Sequence, residues 1–116
     1  MTTLNLKTTI ICRFQVEGIH CWKNCPIKEV KFLKDLHRHL FYISCEKEVF
    51  HDDRDVEFIM FKRIILKYLK DKYEDDECLK FNSMSCEMIA KELLEKFNLI
   101  SCEVFEDNEN GARVCK

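Results

Sequence analysis

The sequence lacks the features that mark several common functional classes. Its 19 basic and 21 acidic side chains leave a net charge of −2, so no basic stripe favours DNA or RNA as a partner. It contains no apolar run long enough to span a bilayer. Its start shows no positive segment followed by an apolar one, as an export signal requires. We therefore expect a soluble cytoplasmic protein that binds neither nucleic acid nor membrane.

Cysteine is abundant, but the spacing typical of zinc sites is missing. None of the eight cysteines forms a Cys-x-x-Cys pair, the strong signature of a structural metal site. Several fall in alternating apolar patterns, where free cysteine behaves as a small hydrophobic residue in a reducing compartment. We expect reduced thiols. Three neighbouring residues keep a partial metal site open: His20, Cys21 and Cys25.

Repeats and low-complexity segments are also absent. The 116 residues, 47% of them apolar, suit one compact domain over residues 1–116. Alternating apolar and polar residues predict strands at 8–17 and about 36–50. The segment between them, around Trp22, predicts a loop.

Two amphipathic helices are predicted after the second strand. The acidic turn at 51–54 offers N-cap residues, and apolar residues then recur at three- and four-residue steps to about residue 73. A charged loop at 72–80 separates this helix from a second one, which Ser85 caps.

The end of the chain predicts two further strands, at 99–105 and 112–115, joined by a turn at 107–111. The order is therefore β-β-α-α-β-β. Strands at both ends with helices between them predict an α+β fold, an antiparallel sheet with two helices packed on one face.

Histidine spacing suggests a ligand or metal site. His37 and His39 are two residues apart in a strand, so their imidazoles project from the same face. His20 follows the first strand, which a meander places beside the second. Three neutral imidazoles can bind zinc with a fourth position open. The alternative is that these histidines form ordinary hydrogen bonds in a half-buried sheet.

Several motifs resemble the 6-pyruvoyl-tetrahydropterin synthase family. Residues 14–20 (FQVEGIH) and 37–41 (HRHLF) are similar to its zinc-binding pattern. Residues 56–62 and 85–90 resemble the starts of its two helices, and residues 103–106 its ligand-anchoring glutamate strand. Each motif is short, and the resemblance depends on their order, which matches the predicted element order.

The resemblance implies a tetrahydropterin-synthase-like fold, with zinc on His20, His37 and His39. It also implies a purine-like ring bound between subunits, with Glu106 accepting its N–H groups. A homo-oligomer is also expected because a short sheet leaves two edges open to pairing. In this reading the chain is a zinc-dependent 6-pyruvoyl-tetrahydropterin or 6-carboxytetrahydropterin synthase-like enzyme.

Two departures from the family pattern argue against that reaction. The family's cysteine four residues before the His-x-His motif is replaced here by Leu33, which cannot transfer a proton. The family's Asp-His pair should fall at 71–76, which contains no histidine. We therefore predict no catalytic residues and a binding protein that needs no cofactor, with zinc as the alternative.

A second resemblance points to a binding function. Residues 18–22 (GIHCW), 52–54 (DDR) and 106–111 (EDNENG) look like those of the phage anti-Thoeris proteins. That resemblance implies a sponge in the cytoplasm of an infected bacterium. Such a protein sequesters cyclic ADP-ribose-type immune signals without cleaving them and so blocks the host Thoeris defence.

A nucleotide of this kind suggests specific contacts. Trp22 can stack on a base, worth about 1–3 kcal/mol, and Arg54 and Arg113 can clamp phosphates. The alternatives are that Trp22 plugs the edge of the core and that the arginines are only solvated. The predicted ligand-binding residues are Trp22, His37, His39, Arg54, Glu106 and Arg113.

Overall fold

The computed structural model describes residues 4–116. It contains six strands: β1 (Thr8–His20), β2 (His37–Val49), β3 (Glu74–Asp75), β4 (Cys78–Asn82), β5 (Ser101–Glu106) and β6 (Asn110–Cys115). Helix α1 is Phe58–Tyr73, helix α2 is Cys86–Phe97, and a 3₁₀ helix, Lys28–Lys34, lies between β1 and β2. The predicted α+β architecture is confirmed.

The strands form one sheet in the order β3-β4-β1-β2-β5-β6. The long hairpin β1–β2 is its centre and pairs over its whole length, from Thr8 opposite Val49 to His20 opposite His37. All neighbours are antiparallel except β1 and β4, which run parallel at residues 18–20 of β1.

That parallel pair corrects two predictions. The sheet is not wholly antiparallel, and the charged loop predicted at 72–80 contains β3 and most of β4. The error has a physical cause, since β4 is only five residues long and directly follows the acidic residues 74–77. Its apolar side chains are buried in the folded chain, with Phe81 completely enclosed.

The helices cover one face of the sheet. Alternation places Phe14 of β1 and Phe41 of β2 on this side, where they pack with Ile65 of α1 and Leu93 of α2. These side chains are at most 8% exposed. The opposite face carries more polar residues, and the chemistry described below lies on the helix-covered side.

Capping explains where the helices begin. Ser85 accepts a hydrogen bond from the Met88 N–H at 3.2 Å, as its sequence predicts. The turn at 51–54 does not cap α1 as predicted. Glu57 is the N-cap instead, because its side chain accepts hydrogen bonds from the N–H groups of Ile59 and Met60. Within residues 4–116, no helix is long and apolar enough to cross a membrane.

Candidate functional site

The candidate site lies where β1 ends and β2 begins. The hairpin register sets His20 directly opposite His37, with His39 two residues further along the same face. Phe41 of β2 pairs with Glu106 at the end of β5, so this carboxylate reaches the same side of the sheet. Strand register therefore brings together residues separated by up to 86 positions in the chain.

These four side chains converge. One potential ligand atom from each of His20, His37, His39 and Glu106 lies within 4.8 Å of the others. The imidazole centroids are 4.6 Å apart for His20 and His37 and 5.0 Å apart for His37 and His39. We call this group the histidine cluster.

Backbone carbonyls determine the tautomers of two members. The Nδ1 atom of His20 lies 2.8 Å from the carbonyl oxygen of Met84. The Nδ1 atom of His37 lies 2.8 Å from the carbonyl oxygen of Asp35. A carbonyl oxygen only accepts, so both Nδ1 atoms carry the hydrogen and donate it. The Nε2 lone pair of each ring is then available to a metal.

Asp107 orients the third ring. Its Oδ2 accepts from Nδ1 of His39 at 2.7 Å, and its Oδ1 accepts from the Leu40 N–H at 3.0 Å. Those two hydrogen bonds hold the pKa of Asp107 below its usual value. The left-handed backbone of Asp107, with φ of 53°, breaks the strand alternation after Glu106. The carboxylates of Glu106 and Asp107, although consecutive in the chain, therefore both reach the histidine cluster.

Glu106 completes the cluster without forming ordinary hydrogen bonds there. Its Oε2 lies 2.8 Å from Nε2 of His20 and 3.6 Å from Nε2 of His39. Both Nε2 atoms are buried and have no hydrogen-bond partner within residues 4–116, for His20 despite the short distance. Nitrogen lone pairs and a carboxylate thus face one another at short range, which suits a cation between them.

The donor set fits zinc. Imidazole nitrogens and carboxylate oxygens are ligands that zinc accepts, and Nδ1–H groups bonded to carbonyls or carboxylates are typical second-shell support. His20 is only 6% exposed, and this burial lowers its pKa, favouring the neutral ring that a metal requires.

A cavity of about 480 Å³ opens beside the histidine cluster. His20, His37 and Glu106 line one side of it, and residues 83–88, which lead into α2, line another. Trp22 lies at its rim, 44% exposed, and its backbone N–H donates to the Leu33 carbonyl at 2.6 Å. Among the described residues that line the cavity, none is lysine or arginine.

The cavity wall also contains Leu33, at the position where the resemblance places a cysteine. Cys86 lines it as well, but burial, and then the charge of Glu106, raises the pKa of this thiol to about 12. A neutral thiol is a poor nucleophile and a poor metal ligand at neutral pH.

The structure brings some predicted residues to the cavity and not others. Trp22, His37 and Glu106 line it, and His39 lies in the cluster with them. Arg54 is in the turn after β2, at the opposite end of a 13-residue hairpin, where it pairs with Asp53. The expected phosphate clamp by Arg54 is therefore not formed within one chain, since the hairpin is roughly 40 Å long.

Arg113 also lies away from the cavity. It pairs with Glu103 at 2.8 Å, and Glu103 stands opposite Ser44 on the sheet face that the helices leave uncovered. The partial metal site of His20, Cys21 and Cys25 is not formed. Cys21 lines the cavity, whereas the thiol of Cys25 lies 3.6 Å from the carbonyl oxygens of Ile27 and Val30. Neither belongs to the converging group.

Sequence reasoning missed Asp107 and the Met84 carbonyl. The sequence predicts the turn at 107–111, but it does not indicate that the first residue of this turn bonds back to β2. The Met84 contact joins β1 to the segment before α2, 64 residues later. Only the folded chain brings these groups together.

Comparisons with known proteins bear on the fold alone. No protein-family model and no curated protein matches this chain. Among solved structures, it is similar to the crystal structure of uncharacterized protein WS1659 from Wolinella succinogenes, with a TM-score of 0.59 and 14% identity. The match covers 97% of this chain and 99% of that one, so the two share a fold over nearly their whole length.

Proposed function

We propose that this chain holds zinc on His20, His37 and His39 and binds a small heterocyclic ligand in the adjacent cavity without converting it. The observation that carries the proposal is the convergence of the rings, with Nδ1 of each one engaged in a hydrogen bond. Bound zinc would attract a ligand oxygen or nitrogen as a Lewis acid.

The cavity supports binding better than proton transfer. Leu33 carries no acid or base, and the Cys86 thiol is neutral at pH 7. A positioned acid or base contributes roughly 10²- to 10⁴-fold to such reactions. Both groups that the resemblance assigns to proton transfer are therefore lost. The carboxylates and imidazoles that remain in the lining are Glu87 and three members of the histidine cluster, His20, His37 and Glu106, which the proposal assigns to the metal site.

The cavity favours an aromatic ring. Trp22 presents a half-exposed indole at the rim, where stacking is worth about 1–3 kcal/mol. A cyclic ADP-ribose-type signal, sequestered by a phage sponge in a bacterial cytoplasm, is the narrower form of the proposal. In that form Trp22 binds the base, and the pyrophosphate needs cations from zinc or a neighbouring subunit, because the cavity lining contributes no lysine or arginine.

One screen tests ligand binding. Zinc-loaded protein is melted with pterins, purine nucleotides and cyclic ADP-ribose isomers. A ligand at a hundred times its dissociation constant should stabilise the fold by about 2.7 kcal/mol. Trp22→Ala should weaken the response, whereas Arg63→Ala, at an exposed position of α1 away from the cavity lining, should leave it unchanged. No response to any of these ligands would refute the binding proposal.

A second measurement separates binding from turnover. Ligand recovered after heat denaturation should be chemically unchanged, and recovery of only degraded ligand would contradict sequestration. The competing synthase-like enzyme is favoured by the fit of the histidine cluster to zinc. It predicts turnover of dihydroneopterin triphosphate by the zinc-loaded protein, and an inert zinc-loaded protein would exclude it.

We also propose that the chain forms a closed homo-oligomer with its cavities near subunit boundaries. Only residues 18–20 of β1 pair with β4. Within the described chain, residues 8–17 of β1 therefore have a strand partner, β2, on one side and none on the other. Strand β6 forms the other edge of the sheet. Open edges of this kind pair readily with another chain. A strictly monomeric mass in solution at micromolar concentration would contradict this proposal.

A further inference from the structure

We infer that Glu106 is a fourth metal ligand, so that the site is closed by three imidazoles and one carboxylate. This inference rests on the proposed zinc site and changes the role expected for Glu106. The family resemblance implies that this carboxylate anchors the ring of a bound molecule. The geometry assigns it to the metal instead.

The first argument is the position of one oxygen atom. Oε2 of Glu106 lies 2.8 Å from Nε2 of His20 and 3.6 Å from Nε2 of His39. Both nitrogens are buried in the cluster interior. A carboxylate serving only a ligand in the cavity has no reason to direct an oxygen at two imidazole nitrogens.

The second argument excludes a simple ion pair. If His20 were doubly protonated, its Nε2–H would donate to Glu106. The Nε2 atom nevertheless has no hydrogen-bond partner of acceptable angle, although Oε2 is close enough. Proximity without hydrogen-bond direction is what two ligands of a common ion show, because each directs its lone pair at the ion rather than at the other.

The third argument is that the backbone of Glu106 is held in place. Asp107 binds His39 through Oδ2, and its own N–H donates to the Leu40 carbonyl at 2.8 Å. Pairing with Phe41 fixes the Glu106 backbone in the sheet. The same short segment thus supplies one ligand and orients another.

A consequence follows for the cavity. Four protein ligands fill the tetrahedral coordination that zinc prefers, as in structural sites, whereas catalytic sites keep one position open. A molecule in the cavity can then bind the metal by displacing Glu106 or by adding a fifth ligand. A closed site, together with leucine at position 33 in place of the family's cysteine, would lower the reactivity of the cavity.

The test measures metal affinity and coordination rather than activity. Wild type, Glu106→Gln and the control Glu109→Gln, an exposed residue of the same turn, are titrated with zinc against a chromophoric chelator. Glu106→Gln should weaken zinc binding by at least about 10-fold, the lower end of the loss seen when only supporting residues are removed. Glu109→Gln should bind like wild type.

Cobalt(II) provides the second readout. Its visible absorption in wild type should be that of a four-coordinate ion and should change in Glu106→Gln as water replaces the carboxylate. Glu106→His, which restores a donor, should recover affinity relative to Glu106→Gln. Should Glu106→Gln fail to fold, a crystal structure of the zinc-loaded wild type identifies the ligands instead, and zinc bound by three imidazoles and water, with Glu106 outside its coordination sphere, would refute the inference.

The outcomes distinguish this inference from the proposed function. If wild type binds no zinc, the proposed metal site fails and Glu106 cannot be a ligand. If wild type binds zinc and Glu106→Gln does so with equal affinity and an unchanged cobalt spectrum, only the role of Glu106 is refuted.

Discussion

Two groups of potential metal ligands lie on the same face of the same three strands, and they differ in their hydrogen bonds and in their access to solvent. The first is the histidine cluster. The second is a row of thiols, Cys12, Cys45 and Cys102, which the strand register places side by side across β1, β2 and β5. The thiols of Cys45 and Cys102 are 3.9 Å apart.

Solvent access and hydrogen bonding distinguish the thiols from the histidine cluster. Cys45 and Cys102 are completely buried, and their mutual hydrogen bond, followed by burial, raises the pKa of Cys45 far above its usual range. A thiol must lose its proton to bind a metal. An imidazole binds a metal through a ring-nitrogen lone pair, and a cavity adjoins the histidine cluster. Residue type alone therefore does not make a metal site; the surrounding hydrogen bonds and solvent access decide it.

The largest expected effect tests this difference directly. His39→Ala should lower zinc affinity by more than about 100-fold, beyond the range for loss of a supporting residue. Cys45→Ala should leave affinity and stoichiometry unchanged, because its thiol stays protonated. Chelator competition measures both. Zinc binding that survives His39→Ala but is lost in Cys45→Ala would reverse the comparison.

The next effect concerns orientation within the histidine cluster. Asp107→Ala and Asp107→Asn should each weaken zinc binding by about 10- to 100-fold, because neither accepts the His39 Nδ1–H as a carboxylate does. Asparagine can still accept from the Leu40 N–H, so its melting temperature should stay closer to wild type. Equal zinc affinity in all three proteins would show that Asp107 has only a structural role.

Gly18 links the cluster to the core. A Cβ atom there would lie 2.7 Å from the Phe81 ring and 2.8 Å from the Phe41 ring. Gly18→Ala should therefore cost about 1–3 kcal/mol through overpacking, measured by urea unfolding. Phe41 packs edge-on against His20 at 5.2 Å, so zinc affinity should fall as well. Arg13→Ala, on the uncovered face, is the control and should change neither quantity.

The smallest effect is a pH dependence of the metal-free protein. Burial lowers the pKa of His20 below its ordinary 6.5, so the unfolded chain binds a proton that the folded chain does not. The neutral ring of His20 makes its full contribution to the free energy of unfolding above pH about 6.5. This contribution is lost as the pH falls towards the pKa of His20 in the folded state. Melting temperatures between pH 7.5 and 5.5 should decline in wild type and decline less in His20→Gln. A flat wild-type profile would contradict the prediction.

Local patterns predicted most of the fold. The alternation in β1 and β2, the Ser85 cap of α2 and the common face of His37 and His39 depend on neighbours within a few residues. Strand β4 escaped prediction because its burial comes from α1 and β1 rather than from its own pattern. Arg54 and Arg113 do not line the cavity within one chain, because chemical suitability for phosphate does not indicate position in the fold.

The sequence by itself determined the two long strands, the two helices and the last two strands, and which face their side chains take, because helix and strand periodicities depend on residues close together in the chain. Only the tertiary structure decided that Glu106 and Asp107 meet the histidines, that the thiols are enclosed and that Arg54 and Arg113 lie far from the cavity. Register, turn direction and burial depend on contacts between residues distant in the chain, and no local pattern encodes them.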